Sequence, residues 1–533
     1  MKKLPIGISN FRTMIEEDYL YVDKTQTIYD LFSQQRLFFL SRPRRFGKSL
    51  LISTLNELFS GNKELFKDTW IGKESDYAWP KHPVMYLDFS AFSVKTAAAF
   101  EISLNRKLEV IAEENAIDVS KDSLPDLKLD TLVRELSKKN KVVLLVDEYD
   151  YPLLQNLDSI EIARATQKIL SSFFATIKSL YGAGNIHALF ITGVTKFSQT
   201  SLFSGMNNLY DLTMAPEAAT LLGYTKDELE ECFEEYIQKF AQQEKLTVNV
   251  MRKEIKNYYN GYRFSKEEIK VYNPYSVLLC LYKKEFSNYW LRTGTPSFLI
   301  TLAKGQFDKI KNLETIELSS EALGTFGLDS IHIIPILFQA GYLTIHGFDK
   351  KTNKYLLGLP NIEVKDSFYK YLVVALAQSS VPDVERALDD FHQALAKNDI
   401  ELFCTTLTSL FASIPYQLHV AKEAYYHSLL HFLTTLIGIE SESEISSSKG
   451  RIDLVIKTKK RIFLFEFKFN GTPAKALAQI VANRYYEKYL RYKKPIILIG
   501  LAFNVKKKMF TLDWVAEKYK KPTKKRVGMA KKK

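Results

Sequence analysis

From Leu37 to Ser49 the chain reads Leu-Phe-Phe-Leu-Ser-Arg-Pro-Arg-Arg-Phe-Gly-Lys-Ser. An apolar run of strand length feeds a tight loop ending in Gly47-Lys48-Ser49, and a helical pattern follows. Few folds accept strand, loop and helix in that order with lysine and a hydroxyl at the turn. Backbone N–H groups of the loop and of the first helical turn point at phosphate, the Lys48 ammonium reaches the outer phosphates, and the Ser49 hydroxyl suits Mg²⁺. The usual first glycine of this pattern is Arg42, so on these residues alone a loop that only caps a helix stays open.

A second run, Val142-Val143-Leu144-Leu145-Val146, reads as a strand buried on both faces and ends in Asp147-Glu148. A carboxylate at the tip of a neighbouring parallel strand holds the water shell of a bound metal, and a second polarises an attacking water. Asp147 and Glu148 suit these two tasks, with an acidic strand end that caps the next turn as the plainer alternative. A third run, His187 to Ile191, ends in Thr192-Gly193 with Thr195 beyond, where hydroxyls sense a γ-phosphate or simply form a β-turn.

A chain of 533 residues has room for three or four cores. Its composition, 46% hydrophobic and 25% charged, is that of an ordinary globular protein rather than a disordered or fibrous one. Cys232, Cys280 and Cys404 lie far apart in apolar helical surroundings, so neither a zinc cluster nor a disulfide framework is expected, and a reducing cytoplasm is. No apolar stretch is long enough for a membrane span, and the N-terminus does not read as a signal peptide. Nine of the positive charges fall between Lys518 and Lys533 with no acid among them, so the rest of the chain carries only about +4 of the net +13. That tail, 517–533, reads as disordered, either a non-specific grip on phosphate backbones or a solvated end.

Punctuation divides what precedes it into four parts. Residues 1–218 alternate strands (Leu37–Leu40, Val84–Leu87, Val142–Val146, His187–Ile191) with helices, predicting a parallel sheet with helices on both faces and ligand groups at its C-terminal edge. Residues 219–325 turn helical, opening on a capping box from Thr225 to Glu228 and including Asn273-Pro274 as a second helix start. Residues 326–414 begin with a helix stopped at Gly341 and two strands, a winged-helix-like pattern. That helix is apolar and has no basic face, which favours a structural linker over a DNA reader.

Residues 415–516 carry the second constellation. Arg451 to Ile456 and Arg461 to Phe469 read as a hairpin, and a turn centred between Lys459 and Lys460 sets Asp453 opposite Glu466. Alternation puts Lys468 on the same face, with Phe463, Phe465, Phe467 and Phe469 on the other. Two acids and a lysine on apolar strands are costly to bury unless they hold something, and Mg²⁺ is the natural guest; a surface pair between Glu466 and Lys468 is the alternative. The helical stretch Ala421–Leu436 offers Glu423 as a third carboxylate. Ala474 to Tyr489 reads as one helix with Gln479, Asn483 and Tyr486 on a stripe, and Pro495 to Gly500 as a buried strand.

Leu4-Pro5-Ile6-Gly7, Tyr21-Val22-Asp23-Lys24-Thr25, Arg42 to Ser49, Asp147-Glu148-Tyr149-Asp150, Gly261-Tyr262-Arg263-Phe264 and Asn273-Pro274-Tyr275-Ser276 resemble the bacterial AAA-ATPase-like family. Gly450-Arg451-Ile452-Asp453, Glu466-Phe467-Lys468, Gln479-Ile480 and Tyr485 resemble the PD-(D/E)XK nuclease superfamily domain fused to it, with Ile452 where the name has proline. The resemblance implies an α/β chain. Its ASCE-type P-loop NTPase sheet has the sensor strand between the Lys48 and Asp147 strands, followed by a helical lid, a winged-helix-like middle and a restriction-endonuclease-like C-terminal domain. Arg42 is usual in that family.

The expected activities are ATP hydrolysis and Mg²⁺-dependent cleavage of nucleic acid, DNA ahead of RNA, in a cytoplasmic, membrane-free and optionally homo-oligomeric protein. Arg44, Arg45, Phe46, Gly47, Lys48, Ser49 and Asp147 would hold the nucleotide and its metal, and Glu148 would prepare water. Glu423, Asp453, Glu466 and Lys468 would form the nuclease site, with Asp453 and Glu466 on the metal. The rival readings are an ATP-driven switch whose nuclease-like domain only docks a partner, and a nuclease on a static nucleotide-binding scaffold.

Overall fold

The computed structural model describes the chain apart from residues 197–201, 293–298, 413–428 and 521–533 and single or paired positions between 204 and 508. It forms two compact units, Met1–Lys365 and Asp366–Lys533.

The first unit is built on five parallel strands: β1 (Leu37–Ser41), β2 (Val84–Asp88), β3 (Val142–Asp147), β4 (Ile186–Gly193) and the short β5 (Tyr210–Asp211), in the order β2-β3-β4-β1-β5. β4, the sensor strand, lies between the Lys48 and Asp147 strands as the resemblance implied. Every residue of β1 and β3 is buried, as it must be when helices cover both faces of a sheet. The Lys48–Phe59 helix packs on β2, β3 and β4, the Pro125–Ser137 helix on β3 and the Ile160–Gly182 helix on β4. All four expected strands are present; β5 carried no apolar run and was not foreseen.

A helical layer follows. Thr225 accepts from the Glu228 N–H while the Glu228 carboxylate accepts from the Thr225 N–H, so both ends of the capping box are made. Asn273 caps the Pro274–Lys283 helix, with proline at its first position. Its core gathers Leu229, Phe233, Ile237, Phe240, Met251, Ile255 and Val277. The apolar helix of the winged-helix-like part, Ile333–Gln339, is buried along its whole length, in keeping with a structural role. The two strands after it, β7 (Thr344–Asp349) and β8 (Lys354–Gly358), gain a third from upstream, β6 (Ile316–Ser319), on the free edge of β8.

Glu363 is a buried carboxylate of this unit. Its Oε1 accepts from the Ser276 hydroxyl at 2.9 Å and the Trp290 N–H at 2.8 Å, and burial pushes its pKa up to about 7. An acid whose folded pKa is raised keeps its proton in the folded state where the unfolded chain has lost it, so it removes stability as pH climbs from the glutamate range to about 7. Glu363→Gln is therefore expected to flatten the fall in melting temperature over that window. Above it, the variant should exceed wild type by a few degrees, read by calorimetry at several pH values. Asp150 titrates in the same direction in both proteins, so the difference between them isolates Glu363; parallel profiles would contradict this assignment.

The second unit holds a mixed five-stranded sheet, β13-β12-β11-β10-β9, from β9 (Glu440–Ser447), β10 (Gly450–Lys457), β11 (Ile462–Phe469), β12 (Ile496–Lys506) and β13 (Met509–Lys518). β11 and β12 run parallel and the other pairs antiparallel. The hairpin register is the expected one, with Leu454 opposite Phe465 and Lys457 opposite Ile462. Phe465 meets Phe403 of the Ile400–Ala412 helix, and Phe467 meets Phe503, so the phenylalanine face packs away from the acids. Two expectations need correcting. The helix expected to reach Tyr489 spans only Pro473–Ala482, because Arg484 takes a left-handed φ of 51° and turns the chain into a 3₁₀ segment, Glu487–Tyr492. β9 and β13 were not foreseen, and residues 517 and 518, assigned to the tail, belong to β13. Glu423 lies outside the described residues.

Candidate functional sites

In the first unit the loop after β1 is shaped from outside as much as from within. The Arg42 side chain turns inward, is 1% exposed, and donates to the carbonyls of Ser41 (2.9 Å), Thr213 (2.7 Å) and Ala218 (2.9 Å). Its guanidinium sits 4.1 Å from the Phe264 ring centre, and burial lowers its pKa to about 9. Phe46, expected among the nucleotide contacts, is likewise buried against Tyr262 at 4.8 Å, so any contact it makes is through its backbone. The Trp290 indole donates to the Arg44 carbonyl at 3.0 Å. These contacts place Gly261-Tyr262-Arg263-Phe264 behind the loop as its support. Arg42→Gly, which restores the ordinary P-loop glycine, is thus expected to destabilise the protein by about 3 kcal/mol, since three buried carbonyls lose their donors. Chemical denaturation checks this, and an unchanged midpoint would contradict it.

Gly47 ends the loop with φ +98°, a conformation that side chains disfavour, and lets Lys48 and Ser49 open the helix. Lys48 Nζ is buried, donates to the carbonyls of Arg42 (3.1 Å) and Pro43 (3.3 Å), and lies 3.4 Å from Glu148 Oε1. Asp147 accepts from the Thr192 hydroxyl and from the Glu148 N–H at 3.0 Å. Burial raises its pKa, the Glu148 charge adds to this, and Thr192, Lys48 and Ser49 pull it back. Glu148 holds a φ of +51°, an uncommon conformation for a residue with a side chain, at the strand tip beside Lys48. These groups line a cleft of about 600 Å³ with Arg44, Arg45, Gly7, Ser9, Tyr21, Tyr224 and Tyr275, and the Arg45 guanidinium lies 4.9 Å from the Tyr275 ring centre. The cleft has the size and mixed lining of a small-molecule site.

Sequence reasoning gave Asp150 no role. Fully buried, it accepts from the N–H groups of Val194 (3.1 Å) and Thr195 (2.6 Å) and from the Thr195 hydroxyl (2.6 Å), fixing the turn after β4. Burial raises its pKa. The signal was present: an acid three residues beyond Asp147, with a hydroxyl at Thr195 to meet it.

In the second unit, Glu466 is 1% exposed on β11. Its Oε1 accepts from the Gln479 amide and lies 3.4 Å from Lys468 Nζ, while its Oε2 is buried and has no partner among the described residues. Burial pushes its pKa up to about 8, the Asp453 charge adds to this, and Lys468 opposes. Asp453 Oδ2 accepts from the Phe467 N–H at 2.7 Å, which sets it beside Glu466 on the hairpin. Gln479 reaches the site because Gly500, opposite Glu466 on β12, lets the Pro473–Ala482 helix lie against the sheet. A Cβ there would meet the Pro473 carbonyl oxygen at 2.2 Å. Asn483 instead donates to the Tyr485 hydroxyl at 2.8 Å and takes no part. Among the described residues no group of three or more His, Cys, Asp or Glu side chains is gathered for a metal.

Residues 5–203 match the model of a family described as predicted AAA-ATPase, and residues 421–514 match that of the PD-(D/E)XK nuclease superfamily. A protein of Azotobacter chroococcum mcd 1, described as an uncharacterized protein in the vnfD 5′ region, is 35% identical over 516 residues, which cover 94% of this chain and 96% of that one. The chain belongs to this AAA-ATPase-like family. The family's nuclease-superfamily domain forms its C-terminal part, and the match to the Azotobacter protein runs through both. The AAA-ATPase-like chain also has weak likenesses among solved structures. The Walker-type ATPase PABY2304 of Pyrococcus abyssi is 13% identical, with TM-score 0.31 over 65% of this chain and 95% of that one. The ORC1 protein of Aeropyrum pernix, solved in complex with DNA, is 12% identical, with TM-score 0.25 over 67% and 96%. No helix among the described residues is long and apolar enough to cross a membrane.

Proposed function

We propose that the first unit binds and hydrolyses Mg-ATP, that the second cuts DNA with a divalent metal, and that nucleotide turnover governs the cutting. One observation supports this reading: in each unit a pair of carboxylates stands at a buried strand beside a lysine, Asp147 and Glu148 with Lys48, and Asp453 and Glu466 with Lys468. Buried acids of this kind carry an electrostatic cost that a cation relieves, and the orphaned Oε2 of Glu466 fits a metal ligand.

In the nucleotide cleft, Lys48 would contact the β and γ phosphates, Ser49 and Asp147 would hold the metal, and Arg44 and Arg45 lie on the rim for phosphate. Glu148 would orient the attacking water once Lys48 turns from it to phosphate. In the second unit, Asp453 and Glu466 would hold Mg²⁺, which when bound polarises the scissile phosphate and acidifies water. Lys468 would neutralise the developing charge, and Gln479 would hold Glu466 in place. The test is cleavage of labelled single- and double-stranded DNA and RNA with Mg²⁺ and with EDTA. Mg²⁺-dependent cutting of DNA is expected, and intact DNA under all conditions would refute the second half of the proposal.

A further inference from the structure

We propose that the turn end of the second unit's sheet is a docking surface for the phosphate backbone of DNA, lying on the acid-bearing face and leading to Asp453 and Glu466. Three segments meet there. The turn between β10 and β11 is tied to the start of β12 by Lys494 Nζ donating to the Thr458 carbonyl at 2.9 Å, and the end of β13 by Tyr519 N–H donating to the Ile496 carbonyl at 2.9 Å. The 3₁₀ segment Glu487–Tyr492 joins them, with Lys457 Nζ 5.5 Å from the Tyr492 ring centre and Tyr486 against Tyr519 at 4.2 Å.

The surface so made presents Lys459, Lys460, Lys488, Arg491, Lys493 and Lys520, all exposed. Against them stand Glu487, which pairs with Arg484 at 3.4 Å, Glu517, and Glu440, which opens β9 opposite Lys457. Outside the C-terminal sequence the chain is close to charge balance, so a cluster with this excess on one sheet end is a local feature rather than a share of a uniformly basic surface. From Lys520 the sequence continues into thirteen residues holding seven Lys or Arg and no acid. Tyr492, 37% exposed with the Arg491 guanidinium 5.0 Å from its ring centre, adds an aromatic face of the kind bases stack on.

The direction follows from the register. The core under the 3₁₀ segment, with Tyr485 and Tyr489 on Ile462, Leu464 and Leu498, lies on the face of β11 that carries Glu466. From Ile462 at the turn to Glu466 is about 13 Å along the strand, or about four base steps. That core covers the strand between the turn end and the acids, so a backbone gripped at the turn end passes over the outside of the 3₁₀ segment and of the Pro473–Ala482 helix, beside Gln479, to reach them. This rests on the nuclease reading of that unit, and the test separates the two.

The full-length chain is titrated in EDTA against a fluorescent DNA 20-mer, single-stranded and duplex, at several salt concentrations, and cutting is measured separately with Mg²⁺. The variant replaces Lys459, Lys460, Arg491 and Lys493 with Glu, its melting and ATP binding serving as the control for folding. Its DNA affinity should fall about tenfold or more, with a shallower dependence of log K on log salt. Equal affinity and slope in the fourfold variant, with wild type still cutting, overturns the docking surface and leaves the nuclease reading intact. Loss of binding in that variant together with undiminished cutting by Asp453→Ala does the reverse. Tenfold tighter binding of RNA than DNA overturns the choice of partner.

Discussion

Asp453→Ala should lower Mg²⁺-dependent cutting of DNA on the order of a thousandfold while leaving ATP hydrolysis and the melting temperature close to wild type. The reason lies in where the acid sits. Asp453 is the carboxylate beside Glu466 on the hairpin, and its Oδ2 accepts from the Phe467 N–H, a hydrogen bond worth about 1 kcal/mol to the fold. Removing it lifts one charge from Glu466, which already carries the cost of burial, so the fold is spared while the metal loses an oxygen ligand. Cutting by the variant at the wild-type rate would move the chemistry elsewhere or remove it, leaving this unit a docking fold.

Glu148→Gln should lower ATP hydrolysis by about a hundredfold or more and leave ATP binding intact. Glu148 contacts Lys48 at 3.4 Å and lies at a strand tip in a left-handed conformation, so the change keeps shape and removes charge. Without that charge, Lys48 retains the Arg42 and Pro43 carbonyls as partners, and nucleotide affinity should stay equal or rise. Phosphate release and fluorescent-nucleotide binding read the two quantities. Loss of both together would mark Glu148 as a structural support of the loop rather than the group that prepares water.

Much of this was legible because apolar runs and alternation are strong signals. β1 and β3 are buried on both faces and announce themselves as apolar runs, as β4 does from Ala188 to Ile191. The hairpin register followed from centring the turn between Lys459 and Lys460, and alternation then put the phenylalanines on one face. What stayed hidden lacked such a pattern. β9 reads Glu-Ser-Glu-Ser-Glu-Ile-Ser-Ser at a sheet edge, and β5 is two residues long. The helix after the hairpin ends at Ala482 without a glycine, because Arg484 itself takes the left-handed turn. Lys48, Ser49, Asp147 and Glu148 were readable from motif and spacing. The inward turn of Arg42 and Phe46 was not, since each depends on partners far along the chain, whereas the Asp150 clamp left a signal in Asp150 and Thr195 that was not read.

The most direct test of two magnesium-dependent phosphate sites acting together follows phosphate release and DNA cutting in the same reaction, for wild type, Lys48→Ala and Asp453→Ala, with and without ATP. Wild type should release phosphate and cut DNA only with Mg²⁺, with ATP changing the rate of cutting. Lys48→Ala should lose phosphate release and that ATP response together, and Asp453→Ala should lose cutting alone. Cutting by Lys48→Ala that responds to ATP as wild type does, or an absence of Mg²⁺-dependent cutting in wild type, would contradict it.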